Sequence, residues 1–165
     1  MRDKDERKSV IGFTNNKAEN NQDAHARENI SNQERDDYRR LERIMQVFPR
    51  IFPDALDIVM KEYEIREYRL AEDSDLDEKT IVRMRTRLDY KPKLQTIIQL
   101  CIGLKVPSII CLELIRVAGF TLHPYGVELA YYCIITQKVG CTLQDCNEYL
   151  VALGYSPLGR GWRVA

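Results

Sequence analysis

Basic side chains crowd the segment from Lys79 to Lys93, where six lysines and arginines are interrupted by one acid, Asp89. Such side chains can neutralise phosphate groups, which is the chemistry of nucleic-acid binding. An acidic run stands directly before them, consisting of Glu72, Asp73, Asp75, Asp77 and Glu78. The two runs together are close to neutral. The basic run is therefore either a local interface for phosphate or the solvated face of a helix.

Residue patterns that would support catalysis do not occur in this sequence. There is no glycine-rich phosphate loop and no nucleophile elbow, and the only histidines are His25 and His123. The carboxylates lie on charged faces and not in apolar segments where burial would raise a pKa. We therefore expect a protein that is not an enzyme and that uses no cofactor.

Five cysteines fall mostly at apolar helical positions and never in a C-x-x-C pair: Cys101, Cys111, Cys133, Cys141 and Cys146. An odd number without a secretion signal favours reduced, buried thiols. A zinc site built from Cys141, Cys146 and His123 is conceivable, but the spacing is not that of a known closed tetrahedral site. We therefore predict no metal site.

Composition limits the possible partners. Lysine plus arginine equal aspartate plus glutamate at 25 each in 165 residues, so the whole molecule has no long-range attraction to nucleic acid or to anionic membranes. There is no apolar run of about 18 residues and no signal peptide at the charged start. We expect a soluble, cytoplasmic protein with no membrane partner.

The segment from Leu70 to Met84 has the spacing of two short helices joined by a tight turn. Ala71 is small enough for another helix to cross closely, and Leu76 would anchor the turn. Asp77 is a suitable N-cap for the second helix, whose inward side would carry Ile81 and Met84. Helical patterns flank this segment on both sides. One opens at Pro53 and the other after Pro92.

These residues resemble the Cro and lambda-repressor type of helix-turn-helix domain, the XRE-like family, over about Pro53 to Val106. The resemblance implies an all-α fold with a recognition helix at about residues 78–86, and a transcriptional regulator that binds double-stranded DNA as a homodimer. The implied contacts to base edges are Lys79, Val82, Arg83 and Thr86. The implied contacts to phosphates are Arg85, Arg87, Lys91 and Lys93.

Two positions depart from the family pattern. Asp75 stands where members usually have glycine, so it must adopt a left-handed conformation or the turn must differ. This makes Asp75→Gly an expected stabilising change. Glu67 stands where many members have a glutamine that touches a phosphate, so that contact is expected to be lost.

The C-terminal half contains a short repeat. CLELIRVAGFTL, which starts at Cys111, is echoed 35 residues later by CNEYLVALGYSP. In both copies a helix stops at glycine followed by an aromatic residue, which is typical of a left-handed cap. Thr142 and Asp145 have the spacing of a capping box before the last helix. This half is similar to the extension of poorly characterised bacterial helix-turn-helix proteins, so we expect it to pack on the core.

The predicted organisation has three parts: a flexible charged tail at 1–32, an N-terminal helix with the helix-turn-helix core at 33–106, and the helical extension at 107–165. The N-terminal helix would bury an apolar stripe made of Tyr38, Leu41, Met45 and Phe48. Helices around Ala130 to Ile135 are the favoured dimer surface. The alternative function is a protein-interaction module, an adaptor or antitoxin-like partner that uses the acidic turn and the N-terminal helix.

Overall fold

The computed structural model describes residues 30–162, and this part of the chain contains eight helices and no strand. The predicted all-α class is therefore confirmed. In chain order the helices are α1 (Asn32–Gln46), α2 (Phe52–Glu62), α3 (Glu67–Ser74), α4 (Glu78–Thr86), α5 (Leu94–Leu104), α6 (Ser108–Val117), α7 (Gly126–Gln137) and α8 (Leu143–Ala152).

The described residues divide into two units between Arg39 and Arg40, inside α1. In the first unit Ser31 and Glu34 form a capping box. The Ser31 hydroxyl accepts from the Glu34 amide at 3.1 Å, and the Glu34 carboxylate accepts from the Ser31 amide at 2.8 Å. The helix thus begins at Asn32, one residue before the predicted start. The predicted flexible tail, residues 1–32, lies outside the described residues except for its last three.

In the second unit the remainder of α1 contributes to the core. Ile44 is buried, and Leu41, Met45 and Phe48 pack against the core while partly exposed. The prediction that this stripe folds back on its own core is confirmed for these three positions. Ile44 was not predicted, although its spacing from Leu41 and Phe48 places it on the same helix face. Tyr38, in the first unit, is exposed.

Helix α5 is the centre of the second unit. All eight residues from Ile97 to Leu104 are buried, and the helix packs against α3, α6, α7 and α8. A helix that is buried on every side must be apolar all round. The one polar side chain in this stretch, Gln99, donates a 3.1 Å hydrogen bond to the Ser74 carbonyl, so its burial is compensated.

The closest approach to α5 is made by α3, and it depends on Gly103. A Cβ atom at Gly103 would lie only 2.7 Å from the Cβ of Ser74. The Ser74 hydroxyl donates to the Leu70 carbonyl within α3, which leaves no unsatisfied polar group in the contact. This contact is separate from the close crossing predicted at Ala71, which concerned the third helix of the motif and stays a prediction.

Helices α2 to α4 build the layer that carries the basic run. Pro53 lies in the first turn of α2, as predicted, where its missing N–H costs nothing. Ile81 and Met84 are fully buried, and α4 packs against α2 and α3. Asp75 has φ 53° and ψ 37°, so the left-handed conformation expected of it is observed. Three residues, Asp75 to Asp77, connect α3 to α4.

The two copies of the C-terminal repeat end their helices in the same way. The Phe120 amide donates to the Ile115 carbonyl at 3.1 Å, and the Tyr155 amide donates to the Leu150 carbonyl at 2.9 Å. Each follows a glycine with φ of 91° or 83°. These are the six-to-one hydrogen bonds of Schellman caps, so the predicted helix stops are confirmed.

Helix α8 begins at the predicted capping box. The Thr142 hydroxyl accepts from the Asp145 amide at 3.1 Å, and the Asp145 carboxylate accepts from the Thr142 amide at 3.0 Å. Hydrogen bonds from Thr142 lower the pKa of Asp145. The box fixes the start of α8, which buries Cys146 and Leu150.

The inward face of α7 belongs to the core, which corrects the expected dimer surface. Ala130, Tyr131, Ile134 and Ile135 are each at most 4% exposed. Helical periodicity turns these four positions toward α5, so they are unavailable to a second molecule. Of the residues expected to mediate pairing, Tyr132 alone is exposed in this helix.

The helices after residue 106 pack as part of the second unit. The described residues from Arg40 onward form one unit, and α6, α7 and α8 all contact α5. The extension is therefore packed on the core, as expected, and shares one hydrophobic core with it. Within residues 30–162, every helix is too short or too polar to pass through a lipid bilayer.

We predict that Gly103→Ala destabilises the protein although alanine is the better helix former. The gain in helix propensity is about 1 kcal/mol. Overpacking against Ser74 should cost about 1 to 3 kcal/mol, because backbone and Cβ atoms cannot give way as a flexible side chain would. Thermal melting followed by circular dichroism measures the difference. Gln95→Ala, at an exposed site on the same helix, is the control and should leave the melting temperature almost unchanged.

Candidate functional site

One face of α4 is exposed along its whole length. It carries the four residues predicted to contact bases, which are Lys79, Val82, Arg83 and Thr86, and all four are exposed. Ile81 and Met84 hold the opposite face in the core. The structure thus brings the four predicted residues together on one surface, at spacings of three, one and three residues along the chain.

The polar side chains on this face differ in whether they already have a partner within the protein. Lys79 and Arg83 form no ion pair with any residue in the range 30–162. The Thr86 hydroxyl donates a 2.7 Å hydrogen bond to the Val82 carbonyl, so its proton is used within the helix and only its lone pairs face outward. The face therefore offers two unpaired cations, an apolar side chain and an acceptor.

Arg85 does not lie on this face. Its guanidinium bonds to Asp57 of α2 and to Glu67 of α3, and its side chain is only 19% exposed. The expectation of a phosphate contact at Arg85 therefore needs correction, since an internal ion-pair cluster already uses this cation. The alternation of buried and exposed positions turns Arg85 toward the buried side, next to Met84.

The same cluster explains Glu67. We expected Glu67 to be unsuited to phosphate because it is acidic, and the structure shows that Arg85 neutralises it. Asp57 also pairs with Lys61. Hydrogen bonds from Lys61 and Arg85 lower the pKa of Asp57. The cluster links the last turn of α4 to α2 and α3. Sequence reasoning missed it because Arg85 is 18 and 28 residues from its two partners.

The three other predicted phosphate ligands lie beyond α4 and are all exposed. Arg87 holds Asp89 with two hydrogen bonds, of 2.7 and 3.1 Å. This pairing raises the pKa of Arg87. Lys91 and Lys93 form no ion pair within the described part of the chain. Because an exposed ion pair is weak, phosphate could compete for Arg87, but Lys91 and Lys93 are the more available ligands.

The acidic run is only partly neutralised. Glu72 pairs with Arg69 at 3.2 Å, and Asp73 lies 3.3 Å from both Arg69 and Lys105. The other three acids of the run, Asp75, Asp77 and Glu78, form no ion pair with residues in the described range. Asp77 is the N-cap residue, as predicted, but its side chain makes no capping hydrogen bond.

Asp75 holds the C-terminal segment of the chain. Its carboxylate accepts from the Arg160 amide at 2.7 Å and from the Gly161 amide at 2.9 Å. Asn147 anchors the same segment by bonding both backbone groups of Leu158, at 2.9 and 2.7 Å. The turn before α4 is therefore connected to residues 85 positions later. No pattern in the sequence indicated this contact.

A polar cavity of about 430 Å³ lies between this turn and the C-terminal segment. Its lining includes carboxylates and one arginine, contributed by Glu72, Asp75, Asp77 and Arg160. In the described part of the chain, no three histidine, cysteine or acidic side chains are arranged to hold a metal ion. The cavity is thus a solvated gap beside the turn.

The cysteines offer no reactive thiol in the core. The Sγ atoms of Cys101 and Cys111 each lie 3.8 Å from the carbonyl oxygen of the other residue. Hydrogen bonding to Cys111, together with burial, raises the pKa of Cys101 well above its usual value. Burial raises the pKa of Cys146 to about 11. A thiol that stays protonated is a poor nucleophile, so Cys101 and Cys146 act as apolar packing groups.

Comparisons of the chain with family models, with curated proteins and with solved structures find no match. Function must therefore be inferred from the residues of the site.

We predict that Asp57→Asn lowers the free energy of unfolding at neutral pH by about 1 to 3 kcal/mol, because it removes an acceptor from Arg85 and Lys61. A carboxyl whose pKa is lowered in the folded state stabilises the fold above its ordinary value, here 3.8, and that stability is lost as pH falls below it. Urea unfolding of both proteins should therefore show a gap in unfolding free energy at neutral pH that narrows at pH values below 3.8.

The control for this experiment is Asp54→Asn, an exposed acid on the same helix that should change little at either pH. A gap of the same size at both pH values would contradict the assigned role of Asp57.

We also predict that Asp75→Gly destabilises the protein, contrary to the expectation from the turn alone. Relief of the left-handed conformation would contribute about 0.4 to 1 kcal/mol. Loss of two hydrogen bonds to a charged group costs more, at about 1.5 to 3 kcal/mol for each such bond when fully formed. In a chain truncated after Leu158 those bonds are already gone, so the same substitution should become stabilising. Melting temperatures of the four proteins measure this reversal of sign.

Proposed function

We propose that this protein binds double-stranded DNA through the exposed face of α4, as a transcriptional regulator of the helix-turn-helix type. The observation that carries the proposal is the pair of cations, Lys79 and Arg83, which have no ion-pair partner among residues 30–162 and lie on a helix whose opposite face is buried in the core. An α-helix with its side chains is about 10 to 12 Å across, which matches the width of the DNA major groove. Arg83 could then reach a guanine edge, with Val82 beside a thymine methyl group.

Rigid support favours this use of α4. Ile81 and Met84 are fully buried, and Arg85 ties the end of the helix to α2 and α3. A recognition element gains affinity when it is held in its binding conformation before the ligand arrives. The Arg85 cluster therefore supplies orientation, whereas Lys91, Lys93 and the exposed Arg87 supply the contacts to phosphate.

Electrostatics limit the affinity of one copy. Asp77 and Glu78 stand at the start of α4, and the whole chain has a formal charge of zero. With about three phosphates neutralised, the logarithm of the binding constant should fall with the logarithm of salt concentration at a slope of about −3. Two copies on a palindromic site would double the contacts, which is the reason to expect a homodimer. Such a regulator would act in the cytoplasm.

A second candidate function is a protein-interaction module, such as an adaptor or antitoxin-like partner. The observation that favours it is the surface formed by Asp77, Glu78 and Val82, which combines two unpaired acids with an exposed apolar side chain. This surface would attract a basic partner and repel phosphate. Binding to random duplex DNA that weakens with added salt distinguishes the two functions, since only DNA binding requires it.

We predict that Arg83→Ala lowers affinity for a selected DNA site by about 1 to 3 kcal/mol and relaxes its sequence preference, because a base contact is lost. Lys93→Ala should weaken selected and random duplexes alike and reduce the salt slope by about 1. The site would be selected from a randomised duplex library, and affinities measured by fluorescence anisotropy.

Arg116→Ala is the matched control, because Arg116 is an exposed arginine on α6 that pairs with Glu113. It should bind both duplexes as the wild type does. Absence of salt-dependent binding to any duplex, or equal small effects of all three substitutions, would reject the DNA-binding proposal and leave the interaction module as the better explanation.

A further inference from the structure

The outward face of α7 and its flanks carry four exposed apolar side chains, which we call the α7 stripe: Tyr125, Leu129, Tyr132 and Val139. They are 67, 42, 45 and 50% exposed, in that order. Leu129 and Tyr132 lie three residues apart on the exposed side of α7, whereas Tyr125 is the N-cap residue and Val139 follows the C-cap residue Lys138. Thr136 lies one turn after Tyr132, and its hydroxyl donates to the Tyr132 carbonyl at 2.8 Å. The exposed apolar side chains thus extend from one end of α7 to the other.

No comparable surface occurs elsewhere in residues 30–162. The other large apolar side chains that are exposed occur singly or in pairs, such as Tyr68 on α3 and Val151 with Leu153 at the end of α8. Single exposed apolar residues are ordinary on protein surfaces, whereas a continuous stripe marks an interaction site. Tyrosine is also enriched in protein interfaces, because it combines a large apolar ring with a polar tip.

We propose that the α7 stripe binds the same stripe of a second copy of this chain, with the two α7 helices antiparallel. The pattern is nearly symmetric about Tyr132: Tyr125 lies seven residues before it and Val139 seven after it, while Leu129 and Thr136 lie three before and four after. A two-fold axis near Tyr132 therefore places Tyr125 opposite Val139 of the second copy. A pairing of this kind is isologous and closes at two molecules.

The charges beside the stripe fit this arrangement. Glu128 lies in the first turn of α7 and Lys138 directly after its last turn, so they flank the stripe at opposite ends. Antiparallel pairing brings Glu128 of one copy toward Lys138 of the other at both ends. Parallel pairing would instead place like charges together. The opposed dipoles of antiparallel helices also attract each other.

The contacts that Glu128 and Lys138 make within their own chain leave both side chains able to form an ion pair with a second copy. Glu128 accepts from the His123 backbone at 2.8 Å and from its ring at 2.7 Å, and it keeps a second carboxylate oxygen. Lys138 lies over the ring of Tyr149 at 4.8 Å, which is a weak and exposed contact. Both charges can therefore reach a second copy without breaking the fold.

The first test is sedimentation equilibrium of the full chain without DNA, from about 1 to about 200 µM. We expect reversible dimers with a dissociation constant in the micromolar range. Tyr132→Glu and Leu129→Glu should each raise that constant at least about tenfold. Tyr68→Glu, which alters an equally exposed apolar residue outside the stripe, should not change it. Circular dichroism melting verifies that each variant is folded, and the two stripe variants substitute for each other if one is not.

A monomer at every concentration would overturn the proposal. A dimer that is weakened no more by the stripe variants than by Tyr68→Glu would overturn it too, because pairing would then use another surface.

The second test exchanges the flanking charges. Glu128→Lys and Lys138→Glu should each weaken the dimer several-fold, and the double variant should recover a dissociation constant within about threefold of the wild type. Recovery supports the antiparallel arrangement, because only that arrangement pairs these two residues across the axis. A double variant weaker than either single variant would overturn it. Both tests are made without DNA, so their failure is distinguishable from failure of the DNA-binding proposal.

Discussion

Burial of α5 is the constraint on which the rest of this structure depends. Every residue from Ile97 to Leu104 is enclosed, and four other helices pack around it. Close packing at this density leaves little freedom in the neighbours, since each must match the shape of the central helix. Gly103 shows this most directly, because the backbone of α3 at Ser74 occupies the space of a side chain. The N-terminal layer and the C-terminal extension are thus parts of one packed body.

This packing determines which side chains of α4 are exposed to a partner. Its core residues face α2 and α3, so the cations on its opposite side are held outward in a defined orientation. Arg85 stabilises this orientation, because it pairs with Asp57 and Glu67 where three helices meet and is not part of the exposed face. The exposed surface of α4 therefore has one cation fewer than the sequence suggested. The same arginine instead supports the helix.

The C-terminal part has two roles in this picture. Its inward residues complete the core around α5, and its last described segment reaches Asp75 in the turn before α4. Its outward residues on α7 are apolar where solvent would favour polar side chains. In the acidic turn, Arg69 and Lys105 pair with Glu72 and Asp73, while Asp75 accepts hydrogen bonds from two backbone amides. The function of the turn is therefore structural as much as electrostatic.

Local interactions were predictable from the sequence. The periodicity of apolar residues placed the helices, and the capping signals at Thr142, Gly119 and Gly154 placed several of their ends. These features involve residues within about five positions of each other, so the sequence carries them directly. The exposed face of α4 followed from the same periodicity. The left-handed conformation of Asp75 was one of two alternatives that the resemblance implied at this position, where glycine is usual.

Long-range contacts were decided by tertiary structure alone. The pairing of Arg85 with Glu67 and Asp57, and the hydrogen bonds of Asp75 to Arg160 and Gly161, join residues from 18 to 86 positions apart. No local pattern in the sequence indicates such contacts, because they depend on how the helices pack against one another. Tertiary structure also decides which apolar residues of α7 are buried, because only the side of α7 that faces α5 enters the core. The sequence determined which residues are charged or apolar. Packing determined which of them remain exposed to a partner.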